Sequence, residues 1–147
     1  MVFLLDVNVL LALAWPSHVA NEAARRWFAR NSHARWATCP VTECAFLRII
    51  SNPSFSPEAL TMSEAQRLLE NNLKHPGHHF WADDLDASDA LRQFRLVGHQ
   101  QITDAYLLAL AVHKRGKFAT FDKSIRALIE PGSRESSHLE FIPNTSI

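Results

Sequence analysis

The sequence predicts one three-layer α/β/α sandwich built on a mostly parallel sheet of four or five strands. Short apolar runs alternate with segments of helical spacing, which is the pattern of a sheet covered by helices on both faces. The run at residues 2–5 is continuously apolar, as is typical of a central parallel strand. With 147 residues, 47% of them hydrophobic, the chain is expected to form a single domain over residues 1–147.

The first half of the chain is predicted to contain two strands and three helices. Asn8 is expected to cap the first helix, which Pro16 stops, and Pro40 is well placed in the first turn of the third. The predicted strands are 2–5 and 36–38, and the predicted helices are 8–14, 18–30 and 40–50.

The second half begins with a loop at 51–60 that holds two prolines and three serines. Ser63 is expected to cap the helix that follows it. A turn at 74–79 is expected to lead into a strand around Phe80 and Trp81. The predicted helices are 63–73, 86–94 and 103–115, and the two last strands are 117–121 and 139–142.

Composition narrows the possible functions. The formal net charge is zero, so any contact with a polyanion must come from a local patch. Cys39 and Cys44 lack the spacing of a zinc site and are expected to be reduced thiols. No Lys or Arg precedes the apolar N-terminal run, Asp6 and Asn8 interrupt it, and it is shorter than the ~20 residues that span a bilayer. We therefore expect a soluble, cytoplasmic protein with no membrane partner.

Four acids occupy positions where an apolar run ends or a helix begins: Asp6, Glu43, Asp104 and Asp122. Asp6 and Asp122 follow predicted strands, and ligands of open parallel sheets bind outside the carboxyl ends of the strands. The other two lie on helices, where Glu43 shares a face with positions +4 and +7 and Asp104 with positions +3, +4 and +7. All four are therefore predicted to line one pocket.

A shared acidic pocket requires a cation. Two unit charges 4 Å apart repel by about 4 kcal/mol at an effective dielectric near 20. Ligands that are all oxygen favour Mg²⁺, with Mn²⁺ able to replace it, over zinc. Because Mg²⁺ binds phosphate oxygens readily, the predicted chemistry is hydrolysis of a phosphodiester.

Each acid also has an ordinary structural explanation. Asp6 and Asp122 could cap the helices that follow them. Glu43 and Asp104 could be first-turn acids that interact with the helix dipole. The common placement of the four favours the pocket, and no single acid decides the matter.

Three segments carry a resemblance to a known family: FLLDVNVLLAL, PVTECAFLRIISNP and GHQQITDAYLLALAVHKRGKFATFD. They resemble the PIN-domain ribonucleases, most closely the VapC-type toxins of toxin–antitoxin pairs. The resemblance covers essentially the whole chain and is most specific at TDAYLLALA and ATFD. The acidic residues of the family would fall on Asp6, Glu43, Asp104 and Asp122, of which Asp122 would be the most variable and could act through water.

The resemblance implies a Mg²⁺-dependent endoribonuclease that cleaves structured RNA such as tRNA or rRNA. It also implies a homodimer that a cognate antitoxin inhibits by occluding the pocket. Asn8 and Thr120 flank the acidic positions and could orient a carboxylate or a water molecule.

Other polar groups have simpler interpretations. The histidines of the KHPGHH turn are expected to form a solvated loop, and the acids at 83–89 to be caps and surface. His99, Arg48, Lys123 and Arg126 could contact RNA phosphates, although plain surface charge explains them equally well. The four tryptophans are expected in the core or at a dimer contact.

Two other classes of function remain open. An Asp-phosphorylated regulatory or phosphatase domain would also place acids at strand ends, but a haloacid-type phosphatase needs an Asp where this chain has Asn8. A non-catalytic PIN-like binding module is the other alternative. The four intact acids argue against it, since a structural core would be more stable without them.

Overall fold

A five-stranded parallel sheet forms the centre of the molecule, and the strand order is β3-β2-β1-β4-β5. The computed structural model describes residues 1–31 and 35–144. The strands are β1 (Val2–Leu5), β2 (Arg35–Thr38), β3 (His78–Phe80), β4 (Lys117–Thr120) and β5 (Leu139–Phe141). The predicted α/β/α architecture is therefore confirmed, with every described strand pair parallel.

Six α-helices are present in the described residues. They are α1 (Val7–Ala14), α2 (Asn21–Arg30), α3 (Pro40–Ile50), α4 (Met62–Leu73), α5 (Ala87–Leu91) and α6 (Ile102–His113). Short 3₁₀ turns occupy His99–Gln101, Lys123–Leu128 and Glu135–His138. Within the described parts of the chain, no helix is long and apolar enough to cross a membrane.

Alternation along β1 divides the core between the two faces of the sheet. Phe3 and Leu5 pack with α1 to α4, whereas Leu4 packs with the opposite layer, which contains α6. Helix α6 is buried along most of its length, from Ala105 to Val112, because the sheet covers one side and α5 and the 3₁₀ turns cover the other. This burial fixes the first turn of α6 beside the strand ends.

Two predicted helix starts are wrong because a different residue provides the cap. Asp6, and not Asn8, is the N-cap of α1, and its side chain accepts a hydrogen bond from the Val7 N–H. Thr61, and not Ser63, caps α4 by accepting a hydrogen bond from the Glu64 N–H. In both cases a residue earlier in the chain already has the extended backbone conformation that an N-cap requires, together with a side-chain oxygen that can accept.

Smaller differences concern the ends of elements. Helix α2 begins at Asn21 instead of residue 18, since His18 accepts a hydrogen bond from the Ala20 N–H in the turn before the helix. Helix α5 ends at Leu91 and α6 at His113, a few residues before the predicted ends. Strand β4 ends at Thr120, because the Thr120 hydroxyl accepts from the Asp122 N–H and turns the chain there.

Candidate metal-binding and catalytic site

Three polar side chains lie at the carboxyl ends of three neighbouring strands. Strand β1 lies between β2 and β4, so Asp6, which follows β1, has Thr38 at the end of β2 on one side and Thr120 at the end of β4 on the other. Both threonines are fully buried and Asp6 is only 5% exposed. Buried polar groups need hydrogen-bond partners, and both threonines have them in carboxylates.

The first group, which we term the Thr120 cluster, consists of Asp6, Asn8, Thr120 and Asp122. The Thr120 hydroxyl donates to Asp6 Oδ2 at 2.7 Å. It accepts from Asn8 Nδ2 at 3.3 Å and from the Asp122 backbone N–H at 3.0 Å. These three bonds use the one proton and both lone pairs of the hydroxyl, so its orientation is fully determined.

The second group, which we term the Thr38 cluster, consists of Thr38, Glu43 and His78. The Thr38 hydroxyl donates to Glu43 Oε2 at 2.7 Å, and His78 Nε2 lies 2.8 Å from the same hydroxyl oxygen. Glu43 lies in the first turn of α3, half-buried at the edge of the stripe that packs on the sheet. A strand-end threonine therefore holds a carboxylate in each cluster.

Asp104, in the first turn of α6, lies beside the Thr120 cluster. Burial, together with the negative charges of Asp6 and Asp122, raises the pKa of Asp104 from 3.8 to about 6. Burial also raises the pKa of Asp6, against opposing hydrogen bonds from Thr120 and Val7, and the charge of Asp122 raises it further. Three of the four predicted acids therefore share one region of negative potential, while Glu43 is held by the other threonine.

Asp6 and Asp122 are helix caps and also lie at the predicted pocket. Asp6 caps α1, and Asp122 caps the 3₁₀ turn that follows it by accepting from the Ser124 N–H at 2.9 Å. Each cap engages one carboxylate oxygen, so capping and a position at the pocket are compatible.

The negative charge at this edge has no cationic partner among the residues that the structure describes. Within residues 1–31 and 35–144, none of the four acids forms an ion pair with Lys, Arg or His. In the same residues, no three His, Cys, Asp or Glu side chains are close enough together to hold a metal ion as they stand. The chemistry of the oxygen donors suits a hard cation, and binding one would require the carboxylates to close together around it.

Sequence reasoning missed Thr38 and His78. The available signal was that Thr38, like Asp6 and Thr120, is a polar residue directly at the end of an apolar strand. The histidines of the KHPGHH turn were assigned to a solvated loop, and that prediction is wrong for His78 and His79, which are half-buried on β3, whereas His75 is exposed in the turn as predicted. His75 Nδ1 accepts from the Trp36 indole N–H at 3.2 Å, and the His78 ring lies 4.7 Å from the ring of Trp36.

The remaining candidates lie at the surface. The Arg126 guanidinium covers the ring of Phe141 at 4.2 Å, while Arg48 and Lys123 are exposed. His99 is exposed in the 3₁₀ turn before α6. The acids at 83–89 serve as caps and surface groups, as predicted: Asp86 caps α5 and Asp84 pairs with Lys114. Trp27, Trp36 and Trp81 are buried, and Trp15 stacks on Phe55.

An apolar cavity of about 410 Å³ lies on the α1–α4 side of the sheet. Its apolar lining includes Leu10, Leu13, Phe28 and Trp36, and none of the four acids contributes to it. The cavity and the acidic edge are therefore separate features, since the cavity lies within one layer and the acids lie at the strand ends.

A family model described as PIN domain matches residues 3–130. Ribonuclease VapC38 of Mycobacterium tuberculosis is 42% identical over 127 residues, which cover 86% of this chain and 89% of that protein. Ribonuclease VapC44 of the same organism is 42% identical over 132 residues, covering 88% and 92%. Ribonuclease VapC29 is 35% identical over 128 residues, covering 87% and 91%.

The fold is also similar to a solved structure, the crystal structure of VapBC2 from Rickettsia felis bound to a DNA fragment from their promoter. The TM-score is 0.63, and the match covers 97% of this chain and 100% of the other. Sequence identity is 11%, so this likeness concerns the fold alone.

Proposed function

Because the chain belongs to the VapC-type PIN-domain family, we propose that it is the toxin of a toxin–antitoxin pair and an endoribonuclease that depends on a divalent cation. The cation would be Mg²⁺, with Mn²⁺ able to replace it, and the substrate structured RNA such as tRNA or rRNA. The relatives named as ribonucleases support the activity. The acidic edge supports the cation.

The observation that carries the proposal is the uncompensated negative charge at the strand ends. Burial, and then the charges of Asp6 and Asp122, raise the pKa of Asp104 to about 6, and no basic side chain in the described residues pairs with these acids. Such an arrangement is unfavourable without a cation, because each ionised carboxylate raises the free energy of the others. We propose Asp6, Glu43, Asp104 and Asp122 as the groups that hold it.

A bound divalent ion would neutralise charge on the phosphate and lower the pKa of an attacking water. The surrounding hydrogen bonds of the protein would position the carboxylates that hold the ion. Thr120 and the Val7 N–H hold both oxygens of Asp6, and Thr38 holds one oxygen of Glu43. One oxygen of Asp122 accepts from the Ser124 N–H, which leaves its other oxygen for the pocket. These hydrogen bonds restrict the rotamers of the carboxylates, so that closing around a cation would cost them little further side-chain entropy.

Substitution of the two central acids tests the activity. We expect Asp6→Asn and Asp104→Asn to abolish cleavage of RNA in the presence of Mg²⁺ or Mn²⁺ while the protein stays folded. Asp89→Asn is a matched control, because Asp89 is an exposed carboxylate that pairs with Arg92, away from the strand ends. Cleavage by either of the first two variants at the parent rate would disprove the assigned roles.

The RNA target can be found in the same system. Expression of the parent and of Asp6→Asn in cells, followed by mapping of new RNA 5′ ends, should reveal cuts that only the parent makes. Ends in tRNA or rRNA would support the proposed substrate class, and parent-specific ends confined to messenger RNA would contradict it.

We also propose a cognate antitoxin and a homodimer. The similar fold in VapBC2 of Rickettsia felis comes from a protein solved together with its partner. Co-expression with the gene product encoded beside this chain should give a stable complex that cleaves no RNA. Light scattering of the chain alone should give twice the monomer mass of 16.6 kDa, and a monomer at micromolar concentration would contradict the dimer.

A further inference from the structure

The Thr38 cluster contains a histidine whose role the proposed nuclease chemistry does not explain. His78 lies on β3, which pairs with β2, and its partner in the register of this pair is Trp36. Trp36 precedes Thr38 by two residues on β2. Residues 36 and 38 point to the same face of the sheet, the face that α3 covers, so the His78 ring can reach the Thr38 hydroxyl. The ring and Glu43 therefore approach the same oxygen from two different elements.

The protons in this chain of hydrogen bonds can be assigned from valence. A threonine hydroxyl has one proton, and an ionised carboxylate only accepts. The proton of Thr38 must therefore point to Glu43 Oε2, at 2.7 Å. His78 Nε2, at 2.8 Å from the hydroxyl oxygen, must then be the donor. The direction of the chain is His78 to Thr38 to Glu43.

The ring of His78 is held in place by its surroundings. It lies against the buried indole of Trp36, with the ring centroids 4.7 Å apart. The indole N–H is bound by His75 Nδ1, which also accepts from the Gly77 N–H at 3.0 Å. Burial, and then the neighbouring His79 and His75, lower the pKa of His78 below 6.5. The ring is therefore neutral at pH 7.5 and carries its single proton on Nε2.

We propose that His78 is a positioning residue for Glu43 and acts through the Thr38 hydroxyl. Without the donor at Nε2, the hydroxyl can rotate its proton away from the carboxylate, and Glu43 then loses its hydrogen bond to the sheet. The inference rests on the proposed function, in which Glu43 belongs to the catalytic set. Groups that orient a metal-binding side chain typically affect activity by 10- to 100-fold.

A pair of substitutions at His78, with a matched control, separates positioning from general stability. His78→Phe keeps a ring against Trp36 and removes the donor, whereas His78→Gln places an amide N–H at about the reach of Nε2. His79→Phe is the control, because His79 points to the opposite face of the strand. With each protein shown to be folded by circular dichroism, we expect His78→Phe to lower kcat about tenfold with KM within about twofold. His78→Gln should recover at least half of the parent kcat, and His79→Phe should match the parent.

Two outcomes would overturn the proposal: parent kcat in folded His78→Phe, or equal loss in His78→Gln and His78→Phe. If His78→Phe does not fold, Thr38→Val and Thr38→Ser give the same comparison, since valine has the shape of threonine without its hydroxyl. We then expect kcat to fall in the valine variant and to be retained in the serine variant. Equal kcat in the two variants would refute the proposed series of hydrogen bonds from His78 through Thr38 to Glu43.

A readout that needs no activity distinguishes this inference from the proposed function. In the metal-free parent, NMR should show the His78 ring proton on Nε2, and the Glu43 carboxyl ¹³C resonance should shift in His78→Gln less than in His78→Phe or Thr38→Val. A proton on Nδ1, or a Glu43 resonance that none of these variants moves, would refute the positioning role. Failure of the parent to cleave RNA would instead refute the proposed function and leave this NMR result to decide the inference.

Discussion

The Thr120 cluster and the Thr38 cluster share one arrangement, a threonine that holds a carboxylate, but differ in the groups around it. In each, a fully buried threonine at the end of a strand beside β1 donates a 2.7 Å hydrogen bond to a carboxylate. Thr120 accepts from a backbone N–H and an amide, which do not titrate. Thr38 instead lies 2.8 Å from Nε2 of His78, whose ring can titrate.

The acids of the two clusters differ as well. The charge of Asp122 acts on Asp6, and both act on Asp104, so the Thr120 side concentrates negative potential. Glu43 is held 2.7 Å from a threonine that connects to the edge strand β3. For the proposed cation, we therefore expect most of the electrostatic attraction from the Thr120 side and an adjustable ligand from the Thr38 side.

The largest expected difference between the clusters is in cation affinity. We expect Asp104→Asn to weaken Mn²⁺ binding on the order of 100-fold, because one of three mutually repelling charges is lost. We expect Glu43→Gln to weaken it only about tenfold. Isothermal titration calorimetry with Asp89→Asn as the control measures both. An equal loss in the two variants would contradict the division of roles.

The two threonines should differ in their contribution to stability. Thr120→Val leaves three hydrogen-bond partners unpaired, and we expect it to lower the free energy of unfolding by about 2–3 kcal/mol. Thr38→Val leaves two and should lower it by about 1–2 kcal/mol. Urea unfolding gives these values, with the serine variants as controls that keep the hydroxyl. A larger effect at Thr38 would reverse the comparison.

The stability of the metal-free protein should depend on pH through Asp104. Its pKa is about 6 in the folded protein and near 3.8 when unfolded, so the folded state binds the proton more tightly. This contribution to stability is complete below about pH 4 and is lost as pH rises to about 6. Asp6, whose pKa is also raised, acts in the same direction.

Urea unfolding between pH 4 and 7, with a chelator present, compares the parent with Asp104→Asn. The parent should lose stability relative to the variant as pH rises, by less than the effect of Thr120→Val because Asp104 is partly solvated. A difference that does not change with pH would show that the acids do not interact as described.

Substitution of Asn8 is expected to change the free energy of unfolding least. Its amide donates to Thr120 at 3.3 Å and its oxygen accepts from the Phe121 N–H at 3.5 Å, both long contacts. We expect Asn8→Ala to lower the free energy of unfolding by about 0.5–1 kcal/mol, partly offset by the helix propensity of alanine. Thermal unfolding with Asn21→Ala for comparison tests this. A loss like that of Thr120→Val would place Asn8 at the centre of the cluster.

Strong local signals made several elements predictable from sequence. The apolar run at Val2–Leu5 and the proline at the start of Pro40–Ile50 predicted both elements with their observed bounds. Helix caps were less predictable, because Asp6 and Asn8 are both good caps and only the direction of the chain leaving β1 decides between them. The prediction for His78 was wrong because its partner, Thr38, lies 40 residues away.

Local periodicity and residue type were sufficient to establish the α/β alternation and to single out the four acids, because each acid ends an apolar run or begins a helix. They could not identify which groups meet. Thr120 lies 114 residues from Asp6, and Thr38 lies 40 residues from His78. The tertiary structure decided these pairings by placing β1 between β4 and β2 and placing β3 beside β2. Such neighbours follow from the strand order of the sheet, which no local pattern encodes.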